Sequence, residues 1–564
     1  MTKRKAAAAN EGGELYFLPL GGAGEIGMNL NLYGYGGKWL IVDCGVTFGD
    51  ETMPMIDVVM ADPAWIAERR DDVAGLVVTH GHEDHLGAIQ YLWPHLQCPV
   101  YASPFAAAVL KGKLHETGLQ NVVPLTVVGL GSRFDVGPFG IEMVSLTHSI
   151  PEPNALAIHT PAGTVVHTGD WKFDPDPLIS DPADFAALRR LGKDGVLALV
   201  GDSTNILTRG HSGSEAEVRA HLIGLLGRYD RRIAVTCFAT NVARLESVAL
   251  AAEANGRSVA LVGRSLWRIE KVARDLGYLK DIAPFLNEHD AAHLPADQIV
   301  YLCTGSQGEA RAALARIAAN DHPTVKLGKG DVVLYSSRVI PGNEKAIFRV
   351  QNQLVRLGVQ VVTDRDEPIH VSGHPARDEV EEMYRLLRPR IAVPVHGEAR
   401  HVQEHCALAL ECGSEQAMTI ENGAMLRLAP GPAEIVDHVP TGRLAVDGQA
   451  LEGGPRLVRL DSELIRDRRR MVFNGSAVCT IVADRKGFLV TDPQVTALGL
   501  LDAEHFAEEH DLVVEAARDA FEDLPPSGRR DDAVAAEAVR RAVRRQLKDM
   551  LGHKPITTVH LVRI

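Results

Sequence analysis

Four potential metal ligands fall within six residues in the stretch Thr79-His80-Gly81-His82-Glu83-Asp84-His85-Leu86-Gly87. The apolar run Gly75-Leu76-Val77-Val78 leads directly into it. No other segment restricts the fold as much. A strand has to end here and the chain has to turn, so that His80 and His82 converge while Asp84 and His85 reach a neighbouring position. Neutral imidazole and carboxylate are the ligands that a borderline divalent ion such as zinc prefers. From residue frequencies, such a pattern arises by chance in roughly one chain of this size in several hundred. The competing reading is a polar surface turn. Crowded histidines gain little from packing there and repel one another once protonated.

Further apolar runs end in the same residue types. Val144-Ser145-Leu146-Thr147 leads to His148, Val165-Val166-His167-Thr168-Gly169 to Asp170, and Ala392-Val393-Pro394-Val395 to His396. Each alone reads as a turn residue. Their repeated place at strand ends is what the open end of an α/β sheet presents.

The chain has 564 residues, enough for roughly three or four folding units. Hydrophobic residues at 46% exclude a largely disordered chain, and no run approaches the ~20 apolar residues of a membrane helix. The start, MTKRKAAAANEGG, lacks the apolar core of a signal peptide and reads as a disordered leader over 1–13. Seven cysteines with no CxxC pair read as small buried hydrophobes of a reducing cytoplasm. Helices are expected over 215–228 and 241–255, alternating with buried strands, so 205–370 reads as an α/β unit around a mostly parallel sheet. Pro- and Gly-rich turns after 429 bracket a linker. The tail reads as a small α+β domain, with strands near 471–482 and 487–491, helices near 503–523 and 531–551, and a last strand near 556–563. The basic runs 466–470 and 540–545 read as solvated faces, with RNA contact as the minority reading.

The series His80-x-His82-x-Asp84-His85, His148, Asp170 and His396 resembles the metallo-β-lactamase superfamily in its two-metal form. Enough chain lies between Asp170 and His396 for a whole inserted domain, as in the β-CASP nucleases. Gly201-Asp202-Ser203-Thr204-Asn205, Thr304-Gly305-Ser306-Gln307-Gly308-Glu309, Pro341-Gly342-Asn343-Glu344, His370-Val371-Ser372-Gly373-His374 and Pro394-Val395-His396-Gly397-Glu398 narrow the resemblance to the ribonuclease J family. It implies an α/β fold: a metallo-β-lactamase αββα sandwich in two parts, 14–204 and 371–445, with a β-CASP domain inserted at 205–370. A linker at 446–464 and a C-terminal α+β domain at 465–564 complete it.

The resemblance also implies two divalent metal ions, zinc or alternatively manganese. One is implied on His80, His82 and His148, the other on Asp84, His85 and His396, with Asp170 bridging. Asp84, His85, Asp170 and His396 are the implied catalytic residues. Phe238, Ala239 and Thr240, with His370, Val371, Ser372, Gly373 and His374, are implied to bind substrate. Asp202 is read as an acceptor that orients an active-site histidine. Two departures stand out: Trp171 and Thr240 replace an expected Phe and Ser, keeping an aromatic wall and a hydroxyl.

The implied activity is a 5′→3′ exoribonuclease preferring 5′-monophosphate RNA, with endoribonuclease action, serving RNA decay and rRNA and mRNA maturation. A cytoplasmic homodimer or homotetramer with RNA-decay partners such as a helicase, and no membrane, goes with it. A DNA-processing β-CASP nuclease is the alternative. A small-molecule metallohydrolase does not need the insertion, and a catalytically dead scaffold would not need every ligand. The formal charge of −14 argues against a broadly basic RNA-holding surface. It leaves room for a narrow electropositive track, with Arg264, Arg268 and Lys271 as candidates.

Overall fold

A computed structural model describes residues 13–50, 52–340, 342–449, 454–502 and 505–564. The expected leader therefore lies, but for Gly13, outside the described residues. The chain divides into two compact units: one of residues 1–47, 60–442 and 451–455, the other of 48–59, 443–450 and 456–564.

The first unit is built on two facing sheets. One has eight strands, with Leu15–Gly21, Leu30–Tyr35, Lys38–Val42 and Val73–Val77 at its centre. The other has seven, with Phe139–Ser145, Asn154–Thr160, Gly163–His167, Ala198–Asp202 and Ile391–Val395 in its middle. Phe17, Leu40, Val42 and Val77 from the first sheet meet Met143, Leu156, Val165, Val200 and Val393 from the second in one core. The alternate residues of the second sheet, Val144, Ala157, Val166 and Leu199, pack beneath Leu188, Met383 and Leu408 of three helices. The helix Pro104–Glu116 packs on two strands of the first sheet. This is the αββα sandwich. Period-two alternation feeds each strand into two different apolar layers.

Three neighbours in the seven-stranded sheet, Gly163–His167, Ala198–Asp202 and Ile391–Val395, run parallel. Their C-terminal ends therefore lie side by side, and Asp170, Asp202 and His396 stand at those ends. In the facing sheet Lys38–Val42 and Val73–Val77 are also parallel, ending before Asp43 and Thr79. So strands distant in sequence deliver polar residues to one rim.

The insertion forms a five-stranded, all-parallel sheet in the order Ser258–Val262, Ile299–Cys303, Ile233–Thr236, Val332–Tyr335, Gln360–Val362. Its three central strands are buried throughout, as a parallel sheet covered on both faces requires. Helices Glu215–Leu226 and Val242–Ala254 stand where their periodicity placed them. Arg244 on the second of these is completely buried. It donates to both carboxylate oxygens of Glu215 at 2.9 Å, and to the carbonyls of Ser336 and Ile369 at 3.0 Å. Ile369 immediately precedes the His370–His374 segment, so this buried ion pair ties the insertion's core to that loop. Bonds that reach the sandwich include Tyr278 to Glu152 at 2.6 Å, Arg338 to Asn205 at 2.9 Å and the Glu215 amide to Asp174 at 3.0 Å.

In the second unit Ser476–Ala483 is the central strand, parallel to Ile556–Arg563 on one side and antiparallel to the short strand Gln494–Thr496 on the other. Ala477, Cys479 and Ile481 pack against Val513, Ala517 and Phe521 of helix Ala507–Glu522, and against Val539, Val543 and Leu547 of helix Asp532–Leu551. Three expectations are corrected here. Met471-Val472-Phe473 lies in the helix Glu463–Asn474, which Gly475 ends at a φ of 67°, and not in a strand. The strand expected near 487–491 is a single bridge from Leu489 to Ala483, and pairing passes to Gln494–Thr496. The expected linker holds the strands Arg443–Gln449 and Pro455–Arg459, with 450–453 outside the described residues. Gly and Pro there mark the turns between strands, a signal that sequence alone does not separate from a linker.

Removing Arg244 leaves Glu215 as an uncompensated buried charge. Arg244→Ala is expected to cost about 3–5 kcal/mol in denaturant unfolding. An unchanged midpoint would show that the pair does not carry the insertion's core.

Candidate metal centre

The turn after Val73–Val77 is fixed by Asp43. Its two carboxylate oxygens accept the Thr79 amide at 2.8 Å and the Thr79 hydroxyl at 2.9 Å, and Oδ2 also accepts His85 Nδ1 at 2.7 Å. Asp43 itself adopts a φ of 64°, a conformation most side chains avoid. Opposite it, Gly169 at a φ of 55° lets the Asp170 loop pass against Thr79. A Cβ there would lie 2.9 Å from the Thr79 side chain. His396 is also left-handed, at a φ of 51°. Its amide donates to the Gly22 carbonyl at 2.7 Å, and the Thr204 hydroxyl donates to its carbonyl at 3.0 Å. Strain held this way by surrounding bonds is a mark of functional sites.

All seven expected ligand residues come together, in two groups that share Asp170. His80, His82, His148 and Asp170 place one donor atom each within 4.8 Å of one another, and so do Asp84, His85, Asp170 and His396. His80 Nε2 and His148 Nε2 lie 3.0 and 3.1 Å from His82 Nδ1. In the second group Asp84 Oδ2 is 3.2 Å from His396 Nε2, and Asp170 Oδ2 is 3.2 Å from His85 Nε2. Asp84 keeps 30% of its side chain exposed, so water reaches the centre from its side.

These donors suit cations. Four of the histidines have Nδ1 held by oxygen: His80 by the Thr79 hydroxyl, His85 by Asp43, His148 by the Gly373 carbonyl and His396 by the Thr204 hydroxyl. The Thr79 and Thr204 hydroxyls donate elsewhere, so each accepts from its imidazole. Nε2 then carries the lone pair of each ring when it is neutral: it faces His82 at His80 and His148, takes the Gly27 amide at 3.2 Å at His396, and lies 3.2 Å from Asn29 Nδ2 at His85. Lone pairs facing one another across about 3 Å repel unless a cation lies between them, and tetrahedral zinc with bonds of 2.0–2.1 Å sets its nitrogens about 3.3 Å apart. Asp170 Oδ1 is buried without a hydrogen-bond partner, which leaves it equally available.

The electrostatics agree. Burial first, then neighbouring imidazoles, pushes His80 and His148 far below the ordinary histidine range. Burial also pushes His82 down to about 4. These three rings are neutral at pH 7, the form in which an imidazole can donate to a metal. At His85 and His396 burial opposes charge, but carboxylates outweigh it. Asp170, Asp84 and Asp43 raise His85, and Asp170, Asp202 and Asp84 raise His396 to about 10. The carboxylates thus demand positive charge at this end of the centre, which bound cations supply.

A third group adjoins the second. His374 Nδ1 lies 2.8 Å from Asp202 Oδ2, and its ring stacks on His396. Burial opposes charge on His374 too, and Asp202 and Asp170 raise it nonetheless. The histidine that Asp202 holds is therefore His374.

The segment His370–His374 is half-buried and joined directly to the centre. A Cβ on Gly373 would lie 2.8 Å from the His148 ring, and its absence lets the Gly373 carbonyl accept from His148 Nδ1. Ser372 Oγ accepts the His374 amide at 3.1 Å, and Val371 packs on the insertion's core. His370 Nδ1 is buried without a partner. Burial, followed by Arg244, Arg338 and Lys172, holds its imidazole well below the usual range. Of these three cations, Arg244 is paired with Glu215 and Lys172 with Asp174 at 3.0 Å, and Arg338 bonds Asn205. Phe238, Ala239 and Thr240 follow Ile233–Thr236; Phe238 is exposed and Ala239 packs on the same core as Val371. Trp171 is buried edge-on against Phe173 behind Asp170. Of the proposed track residues, Arg268 pairs with Glu116 and Lys271 with Asp275, on an exposed face.

Asp43, Thr204 and Glu379 were not singled out from sequence. Glu379 is fully buried. It accepts from the Phe173 amide at 2.8 Å, the Ser212 amide at 2.8 Å and the Ala376 amide at 2.9 Å, tying the loops beside Asp170 and His374 together. Asp43 did carry a signal, an acid at the end of an apolar run, as at Asp170. Thr204 lies in the Gly201–Asn205 stretch that carries the resemblance, though nothing in it names His396 as its partner, and Glu379 carried none.

Comparison with known proteins gives four matches along the chain. Residues 28–219 match the metallo-beta-lactamase superfamily, 230–354 the ribonuclease J beta-CASP domain, 358–418 the Zn-dependent metallo-hydrolase RNA specificity domain, and 463–564 the ribonuclease J C-terminal domain. A Sinorhizobium meliloti protein named ribonuclease J is 45% identical over 556 residues, covering 98% of each chain. A Thermus thermophilus protein of the same name is 35% identical, covering 96% of this chain and 93% of its own. A crystal structure of an Enterococcus faecalis V583 protein of unknown function shares the fold, with a TM-score of 0.52 and 16% identity. It covers 73% of this chain and 100% of that one.

Asp43 fixes the ring of His85 without being a ligand itself. Asp43→Asn is expected to weaken metal affinity 10–100-fold, read by metal analysis after titration with a chelator. Unchanged affinity would show that Asp43 only shapes the turn.

Proposed function

The chain belongs to the ribonuclease J family and is a metal-dependent ribonuclease, and from that premise we propose that it degrades RNA from a 5′-monophosphate end, one nucleotide at a time. The observation that carries this reading is the bond from His148 to Gly373. It joins the His370–His374 segment to the first donor group, so a terminal phosphate held by the segment sits beside the centre. A triphosphate brings more charge and bulk than a half-buried segment of five residues accommodates. RNA passing the segment without docking its end would be cut internally, which is the endonuclease reading. Together these activities serve RNA decay and the maturation of rRNA and mRNA.

In this reading His80, His82 and His148 hold one divalent ion, Asp84, His85 and His396 hold a second, and Asp170 serves both. Zinc is the proposed ion, with manganese as the alternative. When bound, the ions supply Lewis-acid neutralisation of the phosphoryl group and water of lowered pKa. The chain's own residues do the rest. Asp170 keeps the two donor groups together. Asp202 fixes the His374 ring and favours its protonated form, so His374 delivers a proton to the leaving 3′ oxygen. Asp202→Asn should then lower kcat more than it raises KM.

Buried thiols at Cys44, Cys98, Cys237, Cys303 and Cys479 support a cytoplasmic location. The reading extends to a homodimer or homotetramer, and to a place beside a helicase in RNA decay.

Matched RNAs bearing 5′-monophosphate or 5′-triphosphate ends, with DNA of the same sequence, test the proposal. Faster release of mononucleotides from the monophosphorylated RNA is expected, with DNA left largely intact. Equal rates on both ends would remove the 5′-phosphate assignment. Equal digestion of DNA would favour a DNA-processing nuclease. The Asp84→Ala, His85→Ala double variant should keep its circular dichroism and melting behaviour while losing hydrolysis.

A further inference from the structure

The basic runs 466–470 and 540–545 are separate in sequence, yet the second unit brings them to one place. Arg470, Arg540, Arg544 and Lys554 line a single open cleft of about 540 Å³, together with Asp467, Asn474 and Thr557. Asp467 is the only carboxylate in that lining, 3.4 Å from Arg470. Glu537 engages Arg540 and Arg541. Arg544 and Lys554 enter no ion pair among the described residues, and Arg544 Nε is buried without a partner.

The charge distribution makes this cleft distinctive. Residues 456–564 hold 18 Lys+Arg and 18 Asp+Glu, so the whole −14 lies in 1–455. Within this balanced segment the cleft still gathers four cations against one acid. Several of the balancing acids, Glu508, Glu509, Asp511, Glu515 and Asp519, stand on the helix Ala507–Glu522.

An apolar shelf continues from the cleft. Asn474 lines both, and His553 on the shelf is followed by Lys554 in the cleft. Met471, Val472, Phe473 and Leu498 form the shelf, and Phe473 is 74% exposed. A cationic groove beside a solvent-facing aromatic ring is how proteins hold single-stranded nucleic acid. The guanidinium groups take phosphates, and the ring stacks a base without reading its identity.

We propose that this cleft and shelf are a second contact site for single-stranded RNA, holding the phosphodiester backbone on Arg470, Arg544 and Lys554 and stacking a base on Phe473. The proposal rests on RNA being the substrate. The site binds without sequence preference, because nothing in its lining is arranged to read base edges.

The test uses the full chain carrying Asp84→Ala, so that RNA is bound and not cut. Binding of a fluorescein-labelled 20-nucleotide oligouridylate is followed by anisotropy across a salt series. The Arg544→Gln, Lys554→Gln double variant is expected to bind about tenfold more weakly at ~100 mM salt. Its plot of log affinity against log salt should be shallower by about 1.4, at about 0.7 per single-strand phosphate contact. Phe473→Ala should weaken binding with the slope unchanged, because stacking releases no counterions. Lys554 is exposed, so Lys554→Gln alone, with a shallower slope by about 0.7, decides the question if the Arg544 variant fails to fold. Unchanged affinity and slope would overturn the proposal. So would a shift in oligomeric state by light scattering with RNA affinity unchanged, which would make the patch a protein interface. Because binding is measured without cleavage, a parent chain that fails to hydrolyse RNA would count against the ribonuclease reading and not against this site.

Discussion

The structure depends on one arrangement: imidazole lone pairs turned toward one another around a buried carboxylate. His80, His85, His148 and His396 have their Nδ1 atoms committed to Thr79, Asp43, Gly373 and Thr204. That commitment aims Nε2 inward at every one of them. Such a cluster is repulsive by itself and becomes favourable around cations, so the fold invests its bonds in holding it together. Left-handed backbone at Asp43 and His396 belongs to the same investment.

The insertion serves that cluster at a distance. Its all-parallel sheet is stable because both faces are covered, and it can therefore carry loops that contribute nothing to its own core. The buried Arg244–Glu215 pair fixes the carbonyl of Ile369, and the chain then runs through His370–His374 to the Gly373 carbonyl that accepts from His148. Glu379 closes the other end of that segment through three backbone amides. The His370–His374 segment and the donor cluster are thus two ends of one hydrogen-bonded path that begins in a domain inserted far along the sequence.

Much of this was legible in the residues, and the limits are physical. The run His80–His85 is read easily because neighbouring ligands are encoded locally, by a strand end and a turn. The positions of His148, Asp170 and His396 after apolar runs carry the same local signal. Thr204 reaches His396 across 192 residues and Glu379 reaches Phe173 across 206, and their residue types are ordinary in turns and helix starts. Nothing local distinguishes them. In the tail, Met471-Val472-Phe473 read as strand because an apolar triplet has no periodicity of its own. Helix Glu463–Asn474 absorbs it and leaves it facing solvent.

The sequence by itself determined the donor set, its grouping at strand ends, the presence of an insertion and the apolar layers of the sandwich. Each of these is written in short-range order: a ligand after a strand, a period of two, a helix between strands. The tertiary structure alone decided which oxygen holds each imidazole, which histidine Asp202 serves, and that two basic runs 70 residues apart share one cleft. Those outcomes follow from sheet register and helix packing, which bring together residues whose spacing along the chain carries no information about their distance in space.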